Sequence, residues 1–170
     1  YASRGLGDVY KRQSYLCQYE SELSEERPTL CANPAVDALA GHYDHEAHSL
    51  GVPVDWRLEL PRQLAIPEAD FCMMLGNLLE NAFHASQKLP PEQRQVKVMA
   101  RMLSPAMLGL LVENRYDGVL KRQQGTLHST KHDGMGIGLV SIQTAVSRYG
   151  GSMTVETENC LFRVNILLNL

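Results

Sequence analysis

The chain has no run of 18 apolar residues and no export signal, so this stretch by itself is expected neither to span a membrane nor to be exported. A longer parent can still be anchored. Lys and Arg form no run, and a net charge of −3 gives no general attraction to nucleic acid or to an anionic membrane surface. The cysteines Cys17, Cys31, Cys72 and Cys160 show no C-x-x-C spacing, which fits a reducing cytosol. Cys72 falls among apolar residues, where a small thiol packs well. What the chain does have is 170 residues with 44% hydrophobic content, enough for one domain with its own core.

The most informative stretch is Leu75-Gly76-Asn77-Leu78-Leu79-Glu80-Asn81-Ala82-Phe83-His84-Ala85. Pro67, Glu68 and Asp70 ahead of it predict a helix start, with proline in the first turn and acids at the positive end of the dipole. The helix is expected to reach about Lys88. Leu75, Leu78, Leu79, Ala82 and Phe83 recur at helical spacing and form the buried stripe. Asn77 and Asn81, four apart, share a second strip. An asparagine offers a carbonyl oxygen to a hard cation and an N–H donor to an anion, so the pair suits a metal-phosphate ligand. The plainer alternative is that both only solvate the helix.

Further on, Ser129-Thr130-Lys131-His132-Asp133-Gly134-Met135-Gly136-Ile137-Gly138-Leu139 combines two hydroxyls, a cation and glycines at alternate positions, ahead of a new amphipathic helix. Glycines let backbone amides approach an anion, and a helix start adds free N–H groups and a positive dipole end. A glycine triplet alone is weak evidence; behind a hydroxyl-lysine pair and an Asn-x-x-x-Asn helix it is strong.

The remaining elements follow from local signals. Residues 1–13 have no usable periodicity, look like a translated sequencing-adapter junction and are set aside. Tyr15, Leu16, Tyr19 and Leu23 predict the tail of an amphipathic helix over 14–26. Asn33-Pro34 and Gly51 bound a helix over 34–50, whose His42, His45 and His48 point in different directions and are expected on a solvated face. Strands are expected over 52–60, with Trp56 in packing, over 95–103, and over 107–112, the last two as an antiparallel pair. Residues 119–126 are polar and predict a mobile lid. A helix over 139–149, stopped by Gly150-Gly151, then leads into a hairpin of 152–157 with 161–168. The fold class is α+β, a two-layer sandwich with helices on one face of a mixed, mostly antiparallel sheet.

Asn77 to Ala82 resembles the N box, and Gly134 to Leu139 the second glycine box, of the GHKL (Bergerat-fold) ATP-binding domains found in histidine kinases and gyrase. Asn33 to Leu39, the Thr130-Lys131 pair, Tyr149-Gly150-Gly151 and Phe162-Arg163-Val164 resemble one subgroup, the peptide-sensing kinases of the accessory-gene-regulator C type. The resemblance spans roughly residues 30–168. It implies that 31–170 is the catalytic ATP-binding domain of a sensor histidine kinase in a two-component system, with 14–30 the end of a dimerisation hairpin and a linker. The γ-phosphoryl group of Mg-ATP would pass to a histidine on that hairpin, outside this chain.

By the same resemblance ATP and Mg2+ are the cofactors, with Asn81 as metal ligand and Asn77, Asn81 and Lys131 as catalytic residues. Thr130, Gly134, Gly136, Ile137, Gly138 and Leu139 complete the phosphate side, and Lys131 is the cation expected at the terminal phosphate, a solvated lysine being the alternative. In ATP-hydrolysing members a glutamate stands where Asn77 is; asparagine cannot take a proton, which argues for holding ATP rather than hydrolysing it. Glu80 is expected in a structural salt bridge.

On the base side, Asn114 stands where the first glycine box normally carries aspartate, with Asp117 as a substitute acceptor. An amide can accept from adenine but can also turn and donate to guanine, so base discrimination is expected to weaken. The alternative role for Asn114 is a cap on the strand end. The resemblance further implies a response regulator and a peptide signal (quorum sensing), a cytoplasmic location, and a parent that is an integral membrane protein; the isolated chain is expected to be largely monomeric. Two other functions fit the same pattern: a nucleotide-binding docking module without turnover, and an anti-sigma-type serine kinase.

Overall fold

The computed structural model describes residues 27–119, 122–123, 126–127 and 137–170. The first helix, α1, spans Pro34–Leu50, as the sequence predicts. The Asn33 side chain accepts the amide of Val36 and Pro34 opens the first turn, while Gly51 ends the helix in the left-handed conformation. Asn33 does more than cap. Fully buried, its Nδ2 donates to Glu68 Oε1 at 2.8 Å and to the Arg62 carbonyl at 3.1 Å, which joins the start of α1 to the start of the next helix. That helix, α2, spans Glu68–Ser86, ending two residues short of Lys88, with Pro67 just outside it rather than within its first turn. The predicted stripe is buried, from Leu75 through Phe83.

The sheet has five strands, β1 (Val54–Glu59), β2 (Val96–Ser104), β3 (Met107–Arg115), β6 (Ser152–Glu158) and β7 (Leu161–Asn169), in the order β1-β2-β3-β7-β6. β1 runs parallel to β2, and the other neighbours are antiparallel. The parallel step is possible because α2 crosses over between β1 and β2. β1 begins two residues later than the sequence predicts. β3 continues three residues beyond Val112, because Glu113, Asn114 and Arg115 still pair with Arg163, Phe162 and Leu161 of β7.

Period-2 alternation gives the sheet two different faces. One row, Trp56, Val98, Val112, Val164 and Val155, runs across all five strands on the face that packs beneath the helices. Trp56 packs there as expected, and its indole N–H also donates to Asp44 of α1 at 2.8 Å. The adjacent row is Asp55, Lys97, Glu113, Arg163 and Glu156, alternating in charge across the open face. Arg163 bonds Glu113 at 2.7 Å and Glu156 at 3.2 Å. An open sheet face stays in water when its side chains are charged and matched across strands.

The third helix, α3, spans Ile137–Arg148. Gly150, in the left-handed region, and Gly151 turn the chain into β6. A Cβ on Gly151 would lie 2.2 Å from the Leu167 carbonyl oxygen, so only glycine fits between helix and sheet there. Overlapping the segment read as a lid is a small two-stranded ribbon, β4 (Arg122–Gln123) with β5 (Thr126–Leu127), which the polar composition did not reveal. Paired backbone needs no apolar pattern. Residues 14–26, expected to be helical, lie outside the described residues.

Candidate nucleotide site

The predicted asparagine pair sits on α2 with Asn77 half-buried and Asn81 exposed. The start of α3 faces it directly. A Cβ built on Gly138 would lie 3.4 Å from Asn81 Nδ2 and 3.7 Å from Asn77 Oδ1, so two motifs nearly sixty residues apart in the sequence form one surface. With no side chain at Gly138, the backbone of the helix start comes close to both amides. Leu139 turns away and packs against the core. Ile137 is the first residue of α3. Thr130, Lys131, Gly134 and Gly136 lie outside the described residues.

Two contacts hold Asn77 and its helix in place. Asn77 Nδ2 lies 3.2 Å from the Met73 sulfur one turn back, which leaves Oδ1 toward Gly138. On the other side of α2, Tyr43 of α1 donates its hydroxyl to Glu80 Oε1 at 3.3 Å. Burial, together with the Glu80 charge, pushes the Tyr43 hydroxyl up to about 12, so it stays a neutral donor. Glu80, expected in a salt bridge, thus meets a phenol, because α1 brings Tyr43 to that face. Gly76 makes room: a Cβ there would stand 3.3 Å from the Tyr43 oxygen. Tyr43 is a positioning residue that the sequence reading missed, and its signal was Gly76 inside a helix, where glycine costs about 1 kcal/mol relative to alanine.

Asn114 is 4% exposed and lies within β3, on the face toward the helices, rather than at a strand end. Its Nδ2 donates to the carbonyl of Arg115 at 2.9 Å. Asp117 is exposed and accepts the amide of Val119 at 3.0 Å, closing a turn at Gly118. Of the two expected acceptors, Asn114 is buried and Asp117 exposed. Asn114 and the Asn77–Asn81 pair come from the two layers of the sandwich, one from the sheet and one from the helix packed on it.

The histidines of α1 are exposed, as the spacing predicts. Among the described residues no group of three or more His, Cys, Asp or Glu is placed to hold a metal ion. The oxygen donors of Asn81 and of a phosphate are the chemistry that suits a hard cation such as magnesium at this site. No described helix is long and apolar enough to cross a membrane.

The family model described as "GHKL domain" matches residues 67–169, from the start of α2 to the end of β7. The sensor protein TdiS of Thauera aromatica is 23% identical over 156 residues, 87% of this chain and 28% of TdiS, so the chain spans less than a third of that relative. The mycobacterial sensor histidine kinase MprB has a similar structure, with a TM-score of 0.59 and 18% identity over 79% of this chain and 93% of that one. Full-length ShkA in complex with AMPPNP aligns with a TM-score of 0.58 and 18% identity over 79% of this chain and 29% of ShkA. At these identities the structural likeness shows the fold, which is that of histidine kinase catalytic domains. The matched segment covers both asparagines of α2, Asn114 and the start of α3, and the chain belongs to the GHKL domain family.

Proposed function

We propose that this chain is the catalytic ATP-binding domain of a sensor histidine kinase, with 31–170 as that domain and 14–30 leading from a dimerisation hairpin. The observation that carries the reading is Gly138 set against Asn77 and Asn81, which brings the helix start and the amide pair together on one surface. Asn81 would hold magnesium together with phosphate oxygens, and the ion would supply neutralisation of phosphate charge. Asn77 orients the phosphates but cannot act as a base, so the nucleotide is kept for transfer instead of being hydrolysed. Thr130, Lys131, Gly134 and Gly136 close the phosphate side, with Lys131 at the terminal phosphate. The γ-phosphoryl group passes to a histidine of the hairpin, the nucleophile of the reaction, and from there to a response regulator.

The family supports this reading, as do the fold it shares with MprB and the AMPPNP held by ShkA. The resemblance to the accessory-gene-regulator C type extends it to a peptide signal and a membrane-anchored parent. The test is calorimetric titration of the chain with ATP and ADP, with and without magnesium, alongside Asn81→Ala. Binding that needs magnesium and disappears with Asn81 supports the site, and labelled phosphate appearing on an added acceptor hairpin supports the kinase. A folded chain that binds no nucleotide overturns both and leaves a docking module.

A further inference from the structure

We propose that the open face of the sheet is an interface between two copies of this chain, docked face to face about a two-fold axis that runs along the strands between β2 and β3. The charged row covers only part of that face. Beside it stand Met99, Leu103, Met107, Leu111 and Leu167, none of which belongs to the core. Leu103 is 45% exposed and Leu167 39%. The two meet around Gly109, which pairs with Leu167 and whose added Cβ would lie 3.1 Å from the Leu103 side chain. Met99 and Leu111 pair in the next row. Large apolar side chains gathered in one exposed patch mark an interaction surface.

The charges point to a second copy as the occupant. Across β1, β2, β3 and β7 the row reads Asp55, Lys97, Glu113 and Arg163, negative and positive in turn. Such a row is opposite in sign about its midpoint. A two-fold axis between β2 and β3 therefore sets Lys97 of each copy against Glu113 of the other, and Asp55 against Arg163. The same axis sets Met99 against Leu111. An axis between β3 and β7 would also match charges, but it would lay Leu111 on Asn165 and Met99 on Thr154. An isologous contact requires this reciprocity, and opposed sheets keep their strands nearly aligned. Within one copy Asp55 is bound to Arg57 and Glu113 to Arg163, whereas Lys97 makes no ion pair among the described residues. A second copy supplies one.

Asn77, Asn81 and Gly138 stand in the helix layer, on the other side of the sheet, so both nucleotide sites would point outward. Pairing of this kind suits a high local concentration, such as two copies held by one hairpin would have. When dilute, the isolated chain is still expected to be largely monomeric.

The test is sedimentation velocity on the full chain from micromolar to millimolar concentration, where a monomer–dimer equilibrium is expected. Lys97→Glu faces acid with acid and Glu113→Lys faces base with base, so each alone should weaken pairing by about tenfold or more. Mixed in equal amounts, the two variants should pair again, because the acidic one then meets the basic one at both contacts. Leu103→Asp, on an exposed side chain, should weaken pairing likewise and serves if circular dichroism shows a charge variant to be unfolded. A native chain that stays monomeric throughout overturns the proposal. So does a dimer that the variants leave unchanged, or folded charge variants that fail to pair when mixed.

Discussion

The Tyr149 hydroxyl donates to the carboxylate of Asp70, linking residues 79 apart in the chain. Asp70 lies in the first turn of α2 and Tyr149 directly follows α3, so the bond ties together the ends of these helices that lie away from the site. Arg148 adds its charge 3.8 Å from the same carboxylate. Two turns along α2 from Asp70 stands Asn77, and at the opposite end of α3 stands Gly138. The bond therefore adds to the helix packing that sets Gly138 against Asn77 and Asn81.

Tyr149→Phe removes that donor and leaves the ring. A hydrogen bond to a charged group is worth about 1.5–3 kcal/mol, and solvent around this one places the expected loss near 1 kcal/mol, read from urea unfolding. Asp70 raises the hydroxyl's pKa above its ordinary 10.0, chiefly through this bond. The native state then holds the proton more tightly than the unfolded one, so the contribution is full below about pH 10 and is lost above it. The difference between native chain and variant should shrink in alkali.

Asp37 gives the opposite dependence. Burial pushes its carboxyl up, but the amides of Leu30 and Cys31, at 2.7 and 3.1 Å, and the Arg27 guanidinium outweigh this and hold it below 3.8. The unfolded chain therefore binds the proton more readily. Its stabilisation is full above about pH 4 and disappears as the pH falls through the lowered value. Asp37→Asn, compared with the native chain by denaturant unfolding from pH 7 down to pH 2, should be less stable at neutral pH, with the gap closing in acid.

Gly138→Ala separates binding from stability. The added Cβ would make ordinary contacts of 3.4 and 3.7 Å with Asn81 and Asn77, and alanine favours a helix by up to about 1 kcal/mol, so the melting temperature should hold or rise. ATP affinity should fall by roughly tenfold, because the methyl group stands where backbone and phosphate meet. Unchanged ATP binding in calorimetry would move the phosphates elsewhere.

Gly151→Ala should do the reverse. Its Cβ would meet the Leu167 carbonyl at 2.2 Å and Val146 at 3.1 Å, and backbone cannot yield as a side chain does. The expected cost is about 3 kcal/mol or more, seen as a lowered melting temperature. Any loss of nucleotide binding should follow the loss of fold.

Local signals in the sequence were enough for α1, from the Asn33 cap to Gly51, for the buried stripe of α2, and for both antiparallel hairpins, because caps and periods of 3.6 and 2 act between near neighbours. The same signals placed an amide pair one turn apart on α2 and a glycine at the start of α3. That Gly138 meets Asn77 and Asn81 is a matter of helix packing, as is the phenol that Glu80 found in Tyr43. Where β3 stopped was decided by its partner, since β7 kept pairing past Val112 and so carried Asn114 into the buried face. The type of residue at 114 was plain in the sequence, but that its amide nitrogen pairs with the backbone was set by a carbonyl whose position depends on the register of the whole sheet. Chemistry carried by single residues and their neighbours is written along the chain; the direction in which that chemistry points is fixed only when distant segments pack.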